Sequence, residues 1–520
     1  MKTNAFRFFP SKLQILLPAA LFLAAQGTSL AQSTWTGATN TAWTNIGNWS
    51  PAAVPGLNAS VIVDKNSAAA YTIAIGSSPT LTNWSSNITG GGTTGIRASG
   101  NQTLTINGTL TKTGESSLTF RSQTVEKLTM EVGILNHTDS VGSTVTFGTT
   151  GNELSSLNIT TANVSSASGS NQLVFLGGNN TADYTIETLN VGTGGLAVIA
   201  NGVGDGEQRA INVGSLNGAG GIRGSNSAST GVATLNLTGT SNGSHSGAIV
   251  NGSAIARVVK SGSATQTLSN AGSTYTGGTL INAGTLVVGA NNAIGAASGA
   301  VEISGSNQAT LRFNSGVTVG NNITFSSTNA TSSIETEVAS GAAFRTGTTG
   351  NLTSNFASAT PNTTASILGG NATAVRTLSM SFSGTSAATN DGTRKSDVFS
   401  LSGSSTDRFV LQLSTTGLVG TDFVGWLNGS TWVNAVSGNT GNNASLAQQG
   451  YLGSFSAFQT TYGSTLSNYV GAYGVDATAG SAWAVLNHNS GFAVVPEPST
   501  WALLAGSLTF MMVMRRRRRG

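Results

Sequence analysis

The chain predicts an elongated, all-β solenoid, and three features of the sequence lead there. Only 8% of the 520 residues are charged and 69 are glycine, whereas average globular domains carry about 25% charged residues. Hydrophobic residues still make up 38%. They fall in short β-branched runs divided by Ser, Thr, Asn and Gly, the pattern of many short strands joined by tight turns. An apolar-Asn-apolar triplet returns at Leu157-Asn158-Ile159, Leu189-Asn190-Val191, Ile211-Asn212-Val213 and Leu235-Asn236-Leu237, with spacings of 32, 22 and 24 residues. Such spacings are near the length of one solenoid rung, where apolar side chains stack inward and backbone donors pair with the rung above or below. Asparagines at equivalent positions can hydrogen-bond along such a stack, or they simply occupy exposed alternate positions of their strands. With no cysteine, the chain has no disulfide staple and needs a continuous core or a regular backbone ladder.

Residues 1–31 read as a cleavable signal peptide. Lys2, Arg7 and Lys12 lead into the apolar stretch 13–25, and Ser29-Leu30-Ala31 offers small residues for signal peptidase to cut after Ala31. The chain is therefore expected to be exported. Residues 32–99 form an N-terminal cap with a cluster of Trp35, Trp43 and Trp49, followed by Pro51, Pro55 and Gly56. These tryptophans either shield the first rung from edge-to-edge association or stack on sugar rings as a carbohydrate-binding module.

Residues 100–395 form the solenoid body. Thr103-Leu104-Thr105-Ile106-Asn107-Gly108-Thr109-Leu110-Thr111 alternates polar and apolar residues about an Asn-Gly turn. Further strand-sized pieces stand at 301–303, 311–313, 317–319 and 323–325. Aromatic residues return in 396–492, where Phe409-Val410-Leu411-Gln412-Leu413 and Ala482-Trp483-Ala484-Val485-Leu486 read as buried strands of a small β-rich domain that closes the solenoid.

Two segments carry family resemblances. Val259-Lys260-Ser261-Gly262, followed by Ser273-Thr274-Tyr275-Thr276-Gly277-Gly278-Thr279-Leu280-Ile281-Asn282-Ala283-Gly284-Thr285-Leu286, resembles the autotransporter-associated β-strand repeat, placed near 257–290. Gly277-Gly278 suits a corner that needs positive φ, and Tyr275 can cap the rung edge. This resemblance implies a right-handed parallel β-helix.

The second segment is 493–520. Pro496-Glu497-Pro498 is held extended and accessible by its prolines. An apolar run at 501–514 follows, then Arg515, Arg516, Arg517, Arg518 and Arg519. Fourteen residues of helix reach about 21 Å, short of the roughly 30 Å hydrocarbon core, and a positive flank stays cytoplasmic. The order of these parts resembles the PEP-CTERM sorting signal. That resemblance implies a Gram-negative, exopolysaccharide-producing host, transient inner-membrane anchoring through a C-terminal helix, and processing by an exosortase-like enzyme.

Charge and chemistry narrow the function. Of 23 basic and 19 acidic residues, three basic ones lie in the signal peptide and five in the arginine cluster, while Glu497 is the one acid in those segments. The body keeps 15 basic and 18 acidic residues, a formal charge of −3. No basic stripe with interleaved aromatics remains, so no nucleic-acid partner is expected. His137, His245 and His488 are far apart in sequence. His137 and Asp139 would share one face of a strand, but a metal site needs more ligands. Asp205-Gly206-Glu207 lacks the surrounding ligand spacing of a calcium loop. No catalytic residue, cofactor or metal is expected. The reading is an exported structural or adhesin-like protein of the outer surface or extracellular matrix, with exopolysaccharide or a neighbouring cell surface as partner. The alternative is a polysaccharide-active β-helix lyase or hydrolase, which needs carboxylates gathered in one groove.

Overall fold

A computed structural model describes residues 32–497 except 67–68, 177–183, 228–229, 315–316, 318, 322, 328, 330–331, 339–342, 345–355, 359–362, 372–375, 384–385, 387 and 403–407. Ala31, Pro498 and the arginines Arg515, Arg516, Arg517, Arg518 and Arg519 lie outside the described residues, as does the apolar run 501–514.

The chain winds through about 15 turns of a parallel β-solenoid. One ladder of parallel strands begins at Ser33–Trp35 and Ala59–Ile62 and passes through Gln102–Thr113, Leu128–His137 and Ser156–Val164 to Phe356–Ser358. A second runs from Tyr71–Ile75 to Ile249–Gly252. The third starts at Gly243–His245 and continues through Thr265–Leu268, Gly284–Val288 and Ala309–Phe313 to Ser333–Val338. Alternation fills the inside: in Leu128–His137 the chain buries Leu128, Met130, Val132, Leu135 and His137 and turns the residues between them outward. One interior column is aromatic, with Trp43, Trp84, Phe120, Phe147 and Phe175 at successive centroid distances of 5.7, 6.0, 5.7 and 5.5 Å.

The Asn107-Gly108 step corrects the expected turn. It lies inside one continuous strand, Gln102–Thr113, and the next rung carries a register shift between Val132 and Ile134. Alternation slips by one residue there and the strand bends, so the apolar pattern changes phase without the chain reversing. Close approach dictates glycine at the bend. A Cβ on Gly133 would sit 2.5 Å from the carbonyl oxygen of Asn107, and one on Gly214 would sit 2.4 Å from that of Glu187. Of the strand pieces read after residue 300, Val301–Ile303, Ala309–Phe313 and Ile323–Phe325 are strands, while the centre of 317–319, Thr318, lies outside the described residues.

At the N-terminal end, Ser33–Trp35 pairs with both Trp49–Ser50 and Ala59–Ile62. Trp35, Trp43 and Trp49 are at most 3% exposed. Trp49 packs edge-on to Trp35 and Trp43 at 5.0 and 4.6 Å, and its Nε1 donates to the Trp43 carbonyl at 2.8 Å. None of the three rings is open to stack on a sugar.

Both remaining solenoid sheets continue into the C-terminal part, but the pairing becomes antiparallel. Phe356–Ser358 is followed by Thr364–Asn371, Arg408–Ser414, Ser481–Leu486 and Tyr473–Asp476. Ser333–Val338 is followed by Arg376–Ser383, Val398–Ser402, Gly491–Pro496 and Asp422–Asn428. A single buried cluster reaches from Trp35 to Val494. The aromatic segment read as β-rich also holds a helix, Phe455–Tyr462, capped by the Ser454 hydroxyl and laid over Trp483 through Phe455 and Phe458.

Gly133→Val is expected to lower stability by about 1–3 kcal/mol through overpacking at the bend, measured as a fall in the urea midpoint. An unchanged midpoint would show that the bend tolerates a side chain.

Candidate functional site

The bend that requires those glycines also shapes a groove of about 400 Å³ on the first ladder. Its walls include Thr105, Asn107, Glu131, Asn158, Thr160, Thr185 and Glu187. Register explains the lining. Thr105, Glu131, Asn158, Thr185, Asn212 and Asn236 stand opposite one another on consecutive rungs, so an outward polar group recurs about every 4.8 Å. Neighbours in this column bond to each other: Thr105 Oγ1 donates to Glu131 at 3.3 Å, and Asn236 Nδ2 donates to Asn212 Oδ1 at 3.0 Å. Glu131, Asn158, Thr160 and Glu187 are exposed. Their carboxylates, amides and hydroxyls form an evenly stepped surface suited to a polymer with many hydroxyl groups.

The asparagine triplets divide between two columns, which corrects the single column that the sequence suggests. Asn158, Asn212 and Asn236 belong to the groove column. Asn190 belongs to another ladder, in which Nδ2 of Asn163, Asn190 and Asn217 donates to Oδ1 of Asn136, Asn163 and Asn190 at 2.8, 2.8 and 3.2 Å. Each bent strand presents an apolar-x-apolar triplet on both sides of its bend, so triplets from different sides look equivalent in sequence. A constant 27-residue interval through Leu135-Asn136-His137, Ala162-Asn163-Val164, Leu189-Asn190-Val191 and Leu216-Asn217-Gly218 was the signal that separates them.

Several polar groups lie inside the solenoid. Lys260 is 2% exposed; its ammonium donates to the carbonyl of Gly262 and, at 3.3 Å, to that of Ala283. Lys112 repeats this arrangement in a Lys-x-Gly segment that sequence reading passed over. Its ammonium donates to the carbonyls of Thr113 and Gly114 at 2.6 and 2.7 Å. Burial lowers both lysines to about 8, with Asp139 opposing the shift at Lys112. In the same repeat Tyr275 is buried and shares a 2.6 Å hydrogen bond with Thr279 Oγ1. Gly278 takes φ +81°, whereas Gly277 is required because a Cβ there would lie 2.5 Å from the Ala256 carbonyl.

His137 stacks beside Lys112 and places Nε2 3.0 Å from the Ser143 carbonyl and 3.5 Å from its hydroxyl. Lys112 Nζ lies 3.3 Å from the same hydroxyl. This Ser-His-Lys grouping resembles a nucleophile with its base, but Ser143 is 6% exposed and both partners are engaged by main-chain carbonyls. Asp139 turns from His137 to accept from Asn171 Nδ2 at 2.9 Å. Asp205 accepts from Thr230, and Glu207 accepts from the Gly204 amide and Arg209, so the Asp205-Gly206-Glu207 turn uses its carboxylates internally. Gly239-Thr240-Ser241-Asn242-Gly243 has the spacing of a nucleophile elbow, but Ser241 is exposed in a corner between Val232–Leu237 and Gly243–His245 with no helix after it. Among the described residues, no group of three or more His, Asp or Glu is placed to hold a metal, and no helix is long and apolar enough to cross a membrane.

Lys260→Met would leave two buried carbonyls without a donor, and a loss of about 1–3 kcal/mol is expected in the urea midpoint. His245, with no exposed surface, is held at about 4 by burial, which outweighs its backbone contacts with Asn217 and Gly218. The unfolded chain takes up the proton that the folded chain refuses, so this stabilisation is full above pH 6.5 and fades as pH falls toward 4. It amounts to about 3 kcal/mol. His245→Leu should flatten the corresponding fall in the urea midpoint over that window; an unchanged pH profile would place the acid sensitivity elsewhere.

Residues 258–288 match the passenger-associated-transport-repeat family. This is the segment holding Lys260, Tyr275 and the Gly277-Gly278 corner, and the chain is similar to that family over those residues. No curated protein and no solved structure matches the chain.

Proposed function

We propose that this is an exported, adhesin-like surface or matrix protein that holds polysaccharide along the bend groove. The observation that carries the reading is the polar column Thr105, Glu131, Asn158, Thr185, Asn212 and Asn236, repeated rung by rung. A sugar polymer offers hydroxyls at short, regular intervals, so many individually weak hydrogen bonds add along its length. The repeat at 258–288 belongs to the same picture, since Lys260 and Tyr275 are buried within the stack while residues between them face outward. In this reading signal peptidase acts after Ala31. An exosortase-like enzyme then acts on the tail that contains Pro496, Glu497 and Pro498, after transient anchoring in the inner membrane.

Purified secreted protein should be retained on neutral polysaccharides with little salt dependence, because the body carries a formal charge of only −3. Asn158→Ala combined with Thr185→Ala should reduce retention about fivefold to thirtyfold, the loss of one or two weak contacts of about 1 kcal/mol each. Unchanged retention would remove the groove from the account. A second reading is favoured by one observation: Glu131 and Glu187 line the same groove. Their strands are two rungs apart, about 10 Å, and two carboxylates beside one groove are what a glycosidase requires. New reducing or unsaturated ends, lost on Glu131→Gln or Glu187→Gln, would establish the enzyme in place of the adhesin.

A further inference from the structure

The groove column takes up only part of the polar face on its rungs. Beyond the bend, outward residues continue in register, with Thr161 opposite Thr188 and Asn163 opposite Asn190. On the preceding rung Ile134 and Asn136 stand opposite Thr161 and Asn163. On the following rung Ser215 and Asn217 stand opposite Thr188 and Asn190. None of these residues is charged. The asparagines are committed to one another along the ladder, Asn163 to Asn136 and Asn190 to Asn163. The side chains of Asn158, Thr160, Thr161, Thr185 and Thr188, by contrast, have no hydrogen-bond partner among the described residues. Two lines of uncommitted polar groups therefore run along the axis. Asn158 and Thr185 form one, in the groove; Thr161 and Thr188 form the other, three residues further along their strands. The lines are at most about 10 Å apart, and the step along each is about 4.8 Å.

We propose that the ligand of this face is an unbranched, neutral β-1,4-linked glycan of the glucan or xylan kind. It lies parallel to the solenoid axis, with one edge in the groove and the other on the line of Thr161 and Thr188. This rests on the polysaccharide reading above and names the class of polymer. Equatorial β-1,4 linkages hold sugars in a straight ribbon with hydroxyls along both edges, and each sugar advances by close to one rung. Successive sugars then meet the same two lines rung after rung, and the contacts add. An α-1,4 chain coils, so its hydroxyls turn away from a straight line of partners. An α-1,6 chain is flexible and loses more freedom at every linkage it orders. Charge narrows the class further, because Glu131 and Glu187 line the groove and repel the carboxylates of an acidic polymer.

Affinity electrophoresis of the purified protein through gels containing hydroxyethylcellulose, soluble starch or dextran tests this. Retardation by hydroxyethylcellulose alone is the expected result. Equal retardation by all three, or stronger retardation by starch or dextran, overturns the ribbon class and leaves the polysaccharide reading intact. No retardation by any of them overturns that reading and this one with it. Thr161→Val combined with Thr188→Val removes both hydroxyls of the second line and keeps the β-branched shape. Its Kd for hydroxyethylcellulose should rise about fivefold to thirtyfold, the loss of one or two weak hydrogen bonds, with the urea midpoint unchanged. An unchanged Kd would confine the ligand to the groove and overturn the two-line surface. The comparison of polymers uses the unaltered protein, so it decides the ribbon class even if this variant fails to fold.

Discussion

Everything in this molecule depends on backbone hydrogen bonds between one rung and the next. The parallel ladder fixes a step of about 4.8 Å, and each residue type is then judged by whether it can sit above its counterpart at that distance. Apolar and aromatic side chains satisfy the interior, as in the column from Trp43 to Phe175. Outside, amides satisfy one another, as in the run from Asn136 to Asn217. The low charge content follows from the same geometry. Identical charges stacked on consecutive strands repel, whereas hydroxyls and amides both donate and accept.

Corners are where the ladder fails to satisfy every carbonyl, and buried cations serve there. Lys112 and Lys260 have different neighbours yet direct their ammonium groups to the same kind of acceptor, the glycine carbonyl two residues on. A buried charge is costly without partners, and these ammonium groups have main-chain carbonyls as theirs. The ends are treated differently. Tryptophans close the first rung, while at the other end the same sheets switch to antiparallel pairing and run on into the terminal sandwich. The solenoid core and most of the sandwich therefore form one continuous cluster.

Much of this was legible in the sequence, because alternation and rung length are local properties. The all-β class, the buried strands around Phe409 and Trp483, and the Lys260 repeat could all be read from residues within one rung of each other. What could not be read was register. Asn107-Gly108 carries the residues of a hairpin turn, yet the stacking of neighbouring rungs keeps the strand continuous and converts the step to a bend. Asn158 and Asn190 sit in the same triplet motif but fall in different columns, since only long-range pairing says on which side of the bend each lies. The groove shares this origin: Glu131 and Glu187 are 56 positions apart in the chain and come to line one groove only through two intervening register choices. Lys112 escaped notice because its Lys-x-Gly segment lacks the Tyr-x-Gly-Gly corner that marks the second copy.

Function inherits the same dependence. A groove made by a bend repeated over several rungs exists only if those rungs stay stacked. The most direct test of the account is small-angle X-ray scattering of the purified protein. About 15 stacked turns extend roughly 70 Å at 4.8 Å per rung before the sandwich is added. The account predicts a pair-distance distribution with an early peak from the narrow cross-section and a long tail reaching well beyond 70 Å. A symmetric, bell-shaped distribution of a compact sphere would contradict it.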